Sequence, residues 1–489
     1  MKFLVHLVLL LSSGFWTLGS VAAGNPNILF ILADDLGYGD LRSYNPESKI
    51  PTPHLDTLTR EGMRFTDAHS GGPLCHASRY ALMTGQYPWR INVGVWPRQP
   101  LIKEGRTTLA SVLRDQGYRT AMVGKWHLGF QEGGYDKPLP GGPADRGFDS
   151  FFGIRASTDI PPYFYIRDRE AVAPPTGRIA ASPAEPEDGW NNIQGSFWRA
   201  GGIAPGLALK DVLPKFTDEA IGVIGKHAAS KDDKPLFLYL AYPAPHTPWL
   251  PSEEFVGKSG AGMYGDFLMM VDAMVGRVLA ALEAKGMADN TLVFFSSDNG
   301  PVWYAANTRE FGHTSMGALR GRKGSTWEAG HRMPFLVRWP GVIKPGTVND
   351  QTIGFVDMVA TAAELTGAKL TPGHAEDSFS FLPVLRGTQP AGQPTHDGLI
   401  LSTAGGRIKS IRSGDWKLID NPDGGGFRDR DEPKPPKAAA NAKGQLYNLR
   451  KDLGETTNLW DEYPEIVARL TGRLKKAVAD GHSAPHCQP

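Results

Sequence analysis

The stretch NILFILADD, from Asn27 to Asp35, runs through the apolar residues Ile28 to Leu32 and ends on two carboxylates. An unbroken apolar run, in place of an alternating one, suits a strand covered on both faces. The design recurs. KPLFLYLAYPAPHTP (234–248) places His246 just beyond such a run, TLVFFSSDNG (291–300) places Asp298 and Asn299, and GYRTAMVGKWHLG (117–129) places Lys125 and His127. Helical patterns lie between them. TTLASVLRDQG (107–117) has a threonine cap, Leu109, Val112 and Leu113 at helical spacing, and Gly117 as its stop; a longer helix is predicted over about Tyr264 to Lys285, ending at Gly286. Strands alternating with helices predict an α/β fold, a large sheet sandwiched by helices. Such sheets gather ligands at the carboxyl ends of their strands. Here the strand ends deliver Asp, Asn, Lys and His.

The rest of the chain fits a globular frame. Its 489 residues are 41% hydrophobic and 21% charged, enough to bury a substantial core. Fifty-two Lys and Arg against fifty-one Asp and Glu leave a formal net charge of +1, so no global field favours nucleic acid or an acidic membrane surface, and an anionic substrate must be held locally. Residues 1–23 pair Lys2 and an apolar run with the small residues Val21, Ala22 and Ala23, the layout of a signal peptide. The expectation is export, to a secreted or periplasmic location, with no membrane anchor after cleavage. Residues 24–390 carry the strand and helix pattern. From 391 to 489 the character changes: LILSTA (399–404), RIKSIRSGDWKLID (407–420) and QLYNL (445–449) read as short antiparallel strands, and EYPEIVARLTGRLKKAVAD (462–480) as an amphipathic helix. This predicts a smaller C-terminal α+β domain, with DRDEPKPPKAAANAKG (429–444) as an exposed loop. Residues 165–208, rich in Pro and Gly and without period, are expected to be surface loops bordering a cleft.

Asp34, Asp35, Asp298 and Asn299 offer oxygen alone, which suits a hard cation such as Ca²⁺ or Mg²⁺ and not zinc. A single Asp at such a place is as readily a turn former or a helix cap. Paired at two strand ends they ask for more, because adjacent carboxylates repel unless a cation or a proton relieves them. Lys125, His127, His246 and Lys323 could neutralise an anion and move protons. Cys75 is one of only two cysteines. In an oxidising compartment a disulfide with Cys487 is its ordinary explanation.

CHASRYALMTG (75–85) resembles the signature of the formylglycine-dependent sulfatases, C-x-P-x-R followed by Leu-x-Thr-Gly, in which the cysteine is oxidised to an aldehyde. NILFILADDLGYGD, YRTAMVGKWHLG, PAPHTP, FFSSDNG, LRGRKGSTWEAGHRMP, GDWKLI and LYNLRKDLGETTNL resemble further blocks of that family in the family's order. The family proline two places after the cysteine is Ala77 here, which leaves open whether a formylglycine-generating enzyme or an anaerobic sulfatase-maturating enzyme acts.

The resemblance implies an alkaline-phosphatase-like fold with a large mixed, mostly parallel sheet. It implies that Cys75 becomes formylglycine at a helix N-terminus, with Arg79 holding it, and that Asp34, Asp35, Asp298, Asn299 and residue 75 bind Ca²⁺, with Mg²⁺ as the other candidate. Lys125 and Lys323 then bind sulfate, His246 protonates the leaving alcohol, and His127 takes the proton that lets sulfate leave. Ser157, in FFGIRASTDIPPY (151–163), matches a further sulfate contact. The implied activity is hydrolysis of a sulfated carbohydrate or aryl sulfate. Two alternatives are a phosphonate monoester or phosphodiester hydrolase using the same nucleophile, and a non-catalytic glycan-binding relative. Asp159, Trp303, His313 and the 165–208 segment are the candidate specificity elements.

Overall fold

Alternate residues of Asn27–Asp34 feed two separate cores: Ile28, Phe30 and Leu32 pack into one layer, and Leu29, Ile31 and Ala33 into the other. That is the two-sided burial its unbroken apolar run requires. The computed structural model describes residues 24–93, 97, 99–182, 193–403, 405–427, 429 and 442–487. The expected signal peptide and most of the 429–444 loop lie outside them.

The principal sheet has ten strands: β1 (Asn27–Asp34), β2 (Met63–Phe65), β3 (Arg119–Lys125), β4 (Ser150–Ile154), β5 (Ile166–Arg167), β6 (Glu170–Ala171), β7 (Leu236–Pro245), β8 (Thr291–Ser297), β9 (Phe335–Arg338) and β10 (Thr347–Asn349). Their order is β10-β2-β9-β8-β1-β7-β3-β4-β5-β6. The central strands β8, β1, β7, β3 and β4 run parallel, while β9 and β5 enter antiparallel toward the edges. The sheet is therefore mixed and mostly parallel. Helices cover both faces. Cys75–Thr84, Leu109–Asp115 and Met358–Thr366 pack on one face. Pro53–Glu61, Val212–Ala228 and Gly262–Ala284 pack on the other.

Four antiparallel strands, β11 (Leu399–Ser402), β12 (Lys409–Ser413), β13 (Trp416–Ile419) and β14 (Gln445–Asn448), form a second sheet. The helix Pro464–Asp480 packs on it through Leu470 and Leu474. A buried carboxylate joins the two sheets: Asp67, beyond β2, meets Arg332 at 3.2 Å and Arg412 of β12 at 2.7 Å.

One local expectation changes. The 165–208 segment is not loop throughout, because it contributes β5, β6 and a small antiparallel pair, Gly177–Ile179 with Gly201–Ile203. Strands of two or three residues are too short to show a period in sequence. Cys75 and Cys487 are both free thiols, so no bridge joins them. Among the described residues no helix is long and apolar enough to cross a membrane.

Candidate active site

Parallel pairing brings the polar strand ends to one edge. Ala33 of β1 lies beside Ser297 of β8, so Asp34 and Asp35 emerge next to Asp298 and Asn299. An irregularity after Leu32 then pairs Asp34 with Pro245, which sets His246 at the same level. Ala241 of β7 lies beside Gly124 of β3, and Lys125 follows. Gly124 has φ +118°, and a Cβ there would stand 1.9 Å from the Ala241 carbonyl oxygen. Only glycine permits that approach. Asp35 (φ +65°) and His127 (φ +59°) adopt left-handed backbone without being glycine, a strain that collects at functional sites.

The helix Cys75–Thr84 points its N-terminus into this cluster, where its free N–H groups favour an anion. Cys75 Sγ lies 3.3 Å from Asp34 Oδ1. One turn on, Arg79 donates through Nε to Asp298 Oδ2 at 2.9 Å and through Nη1 to the Lys125 carbonyl at 2.8 Å. Lys125 Nζ donates to Asp34 and, at 2.5 Å, to Ser157 Oγ. Lys323 comes from the glycine-rich turn after Leu319 and donates to Asp35 Oδ2 at 2.8 Å. His246 Nδ1 is 2.6 Å from the Thr247 carbonyl oxygen, and its Nε2 is 3.6 Å from Asp35 Oδ2. Both ring nitrogens of His127 are buried without a partner among the described residues.

Burial disfavours charge at this site, and the groups differ in whether a neighbour overcomes it. Burial pushes the Asp34 carboxyl upward, but Lys125, His246, Arg79 and Lys323 outweigh it and hold the group well below the usual range. Burial and the Asp34 charge raise Asp298 to about 6. Burial, then Asp298 and Asp34, push the Cys75 thiol well above its usual range, so it stays protonated and a poor nucleophile. For Lys323 burial works downward, and Asp35 more than reverses it. Burial, then Lys125 and His76, hold His127 well below its ordinary value and therefore neutral.

This donor set fits a hard divalent cation. Ligand atoms of Asp34, Asp35, Cys75 and His246 all lie within 4.8 Å of one another. Asn299 holds itself in place by donating from Nδ2 to Asp35 Oδ1 at 2.6 Å, which leaves its Oδ1 buried and without a partner among the described residues. A buried carbonyl oxygen of that kind, beside carboxylates, is a donor that a hard cation would satisfy.

A cavity of about 330 Å³ opens above the cluster. Asp35, Cys75, His127, Ser157, His246 and Lys323 line its charged floor, Leu74, Ile160, Ile193, Val302 and Phe427 its apolar wall, and Asp159 with Arg199 one polar side. The structure thus brings Asp159 to the cavity, together with two residues of the 165–208 segment, Ile193 and Arg199. His313 and Trp303 are elsewhere. His313 is buried with Nε2 2.9 Å from Asp40 Oδ1, and Trp303 packs against Tyr264, Phe311 and His313. Asp40 also accepts from Gly37 N at 2.7 Å and from the Tyr264 hydroxyl at 2.5 Å. Both residues thereby brace the loop that carries Asp35 and do not line the cavity. The sequence singles out the 165–208 segment but not Arg199 or Ile193 within it, and it gives no signal for Phe427.

Comparison with known proteins follows this geometry. The family model described as Sulfatase matches residues 26–368. An N-acetylgalactosamine-6-O-sulfatase of Bacteroides thetaiotaomicron is 33% identical over 92% of this chain and 92% of its own. Arylsulfatase A of Bos taurus is 34% identical, covering 94% of this chain and 90% of its own. A structure solved in work on the metabolism of multiple glycosaminoglycans by Bacteroides thetaiotaomicron superimposes with a TM-score of 0.78 at 29% identity, covering 93% of this chain and 99% of that one.

Proposed function

This chain belongs to the sulfatase family, and on that premise we propose that it releases sulfate from a sulfated carbohydrate, with simple aryl sulfates as surrogate substrates. The observation that carries the reading is the convergence of Asp34, Asp35, Lys125, His246, Asp298 and Asn299, from separate strand ends, on one buried residue at position 75. The carbohydrate is supported by the N-acetylgalactosamine-6-O-sulfatase relative, which makes a hexosamine 6-sulfate the first compound to test.

Asp34, Asp35, Asp298 and Asn299, with an oxygen on residue 75, would hold Ca²⁺, or alternatively Mg²⁺. Bound there, the cation would draw charge from the sulfate oxygens. Residue 75 would act as formylglycine, made from Cys75 by a formylglycine-generating or anaerobic sulfatase-maturating enzyme, which replaces an unreactive buried thiol with a hydrated aldehyde. Arg79 would orient that group through its fork of N–H donors. Lys125 and Lys323 would neutralise the sulfate oxygens, with Ser157 steadying Lys125. His246 would give the departing alcohol its proton from Nε2. His127, neutral and without a competing bond, would accept the proton whose removal frees sulfate. Residues 1–23 would act as a signal peptide for secretion or periplasmic export, 24–390 as the catalytic domain and 391–489 as the C-terminal domain.

The test compares release of inorganic sulfate from 4-nitrophenyl sulfate and sulfated monosaccharides with turnover of phenylphosphonate and bis(4-nitrophenyl) phosphate. Preference for the sulfate esters in kcat/KM is expected. Faster phosphonate or phosphodiester turnover, or no turnover of any ester by protein that carries the aldehyde, would refute the reading.

A further inference from the structure

We infer that Asp159 is a specificity-determining residue that accepts a hydrogen bond from a hydroxyl of the substrate's alcohol portion, beside the carbon bearing the sulfate, and so selects a sugar ring over a flat aryl group. This rests on the sulfatase reading of the same site.

Asp159 is 2% exposed, yet it lines the cavity. Its two carboxylate oxygens are treated differently. Oδ2 accepts from Arg199 Nη1 at 2.5 Å, whereas Oδ1 is buried with no hydrogen-bond partner among the described residues. A carboxylate oxygen left so is costly unless something else satisfies it. The nearby His246 ring does not: its Nδ1 is 3.9 Å from Oδ1 and already faces the Thr247 carbonyl at 2.6 Å. A donor entering the cavity would supply the partner that Oδ1 lacks.

Position gives its chemical class. Nε2 of His246 faces Asp35 at 3.6 Å, and Asp159 stands at the other ring nitrogen. Asp159 lines the same cavity but stands farther from the candidate cation ligands than Nε2 does, so an alcohol whose oxygen takes its proton at Nε2 can extend its ring toward the carboxylate while the sulfate stays on the floor. An anionic acceptor there would repel sulfate and welcome a neutral O–H. A sugar ring supplies such a hydroxyl, and its C–H face suits the wall of Ile160, Ile193, Val302 and Phe427. An aryl sulfate supplies none. The backbone around Asp159 is fixed on both sides, because Ile160 N donates to Ser157 O at 3.0 Å to close the turn and Arg199 N donates to the Asp159 carbonyl at 3.2 Å.

The experiment measures kcat/KM of the full chain, with the aldehyde content of each preparation determined, on 4-nitrophenyl sulfate and on galactose, N-acetylgalactosamine and N-acetylglucosamine carrying sulfate at single positions. On the best sugar substrate Asp159→Ala is expected to lose roughly 10- to 100-fold, the worth of one hydrogen bond to a charged group, while aryl sulfate turnover changes less than about 3-fold. Asp159→Asn, which keeps an acceptor and the side-chain shape, should recover part of the sugar activity. A deoxy analogue lacking the neighbouring hydroxyl should be poor for the parent protein and no poorer for Asp159→Ala. Equal loss on sugar and aryl sulfates would show that Asp159 only positions His246 or the fold and would overturn the inference, as would an unchanged sugar rate. Aryl sulfates cleaved but no sugar sulfate accepted by the parent protein would also overturn it, with the sulfatase reading intact. Inactivity of aldehyde-bearing parent protein toward every sulfate would instead remove that reading.

Discussion

Nδ1 of His246 lies 2.6 Å from the carbonyl oxygen of Thr247, the next residue in the chain. A carbonyl can only accept, so Nδ1 carries the hydrogen and Nε2, facing the cavity floor, is the nitrogen that exchanges protons. Replacing His246 with Ala should cost on the order of 10²–10⁴ in kcat. The loss should grow as the leaving alcohol becomes more basic, so a plot of log kcat against leaving-group pKa for substituted phenyl sulfates steepens. An unchanged slope would remove His246 from the role of acid.

His127 should fail differently. Its ring nitrogens are buried without partners among the described residues and the ring is neutral at pH 7 because burial and Lys125 disfavour the charge. His127→Ala should still release the alcohol in the first turnover while sulfate release lags. Rapid-quench measurement is expected to show an alcohol burst of about one equivalent. Parallel release of both products would refute the division of labour.

The state of residue 75 is open to mass spectrometry. Active protein should contain a fraction in which the peptide bearing Cys75 is lighter by roughly 18 Da, and activity should scale with that fraction. Cys75→Ala should fold with an unchanged far-ultraviolet circular dichroism spectrum and show no turnover. Full activity from protein whose residue 75 is wholly thiol would end the formylglycine assignment.

Cation removal supplies a separate check. Dialysis against a chelator should abolish turnover and Ca²⁺ should restore it, because the donors are oxygens. Asp298→Ala should lower bound metal, measured by elemental analysis, along with activity. Unchanged metal content would exclude Asp298 as a ligand.

Acid stability should depend on Asp67. Burial pushes this carboxyl upward, but Arg332 and Arg412 outweigh it and hold the group well below its usual range. A depressed folded-state value contributes stability that is present above the unfolded value, about 3.9, and is lost as pH falls through the folded one. Asp67→Asn should therefore destabilise the protein at pH 7 by about 3–5 kcal/mol, the cost of breaking a buried pair, and lose less than the parent chain below about pH 4. Urea unfolding at both pH values measures the difference.

Much of this site is legible because an unbroken apolar run announces both a buried strand and the place where it stops. Asp34, Lys125, His246 and Asp298 are found that way, and their meeting follows from parallel pairing. Asp159 is legible beside Ser157 in a short polar turn. The aperiodic 165–208 segment is legible as a cleft border, but which of its residues reach the cavity, Ile193 and Arg199, and that Phe427 joins them, only tertiary structure reveals. His313 and Trp303 mislead for a related reason. A polar and an aromatic residue just past the Asp298–Asn299 pair resemble substrate contacts, but the partner that captures His313 is Asp40, 273 positions away in the chain. Cys75 shows the limit on the other side: composition alone is compatible with a disulfide to Cys487, the CHASRYALMTG resemblance points away from it, and the fold leaves both thiols free.

The register of β1 with β7 and β8 also governs how the molecule comes to exist. Asp35 N and Asp298 Oδ1 are 263 positions apart in the chain and 3.4 Å apart in space. Loops of that span must close before any of these contacts is rewarded, which places the protein among slow-forming, high-contact-order topologies. No fragment that ends before β8 can contain a working half of the cluster. During synthesis, each nascent chain therefore lacks the complete cluster at least until the ribosome has delivered Lys323, so the appearance of turnover in a translation time course would be a clock for assembly of the whole site.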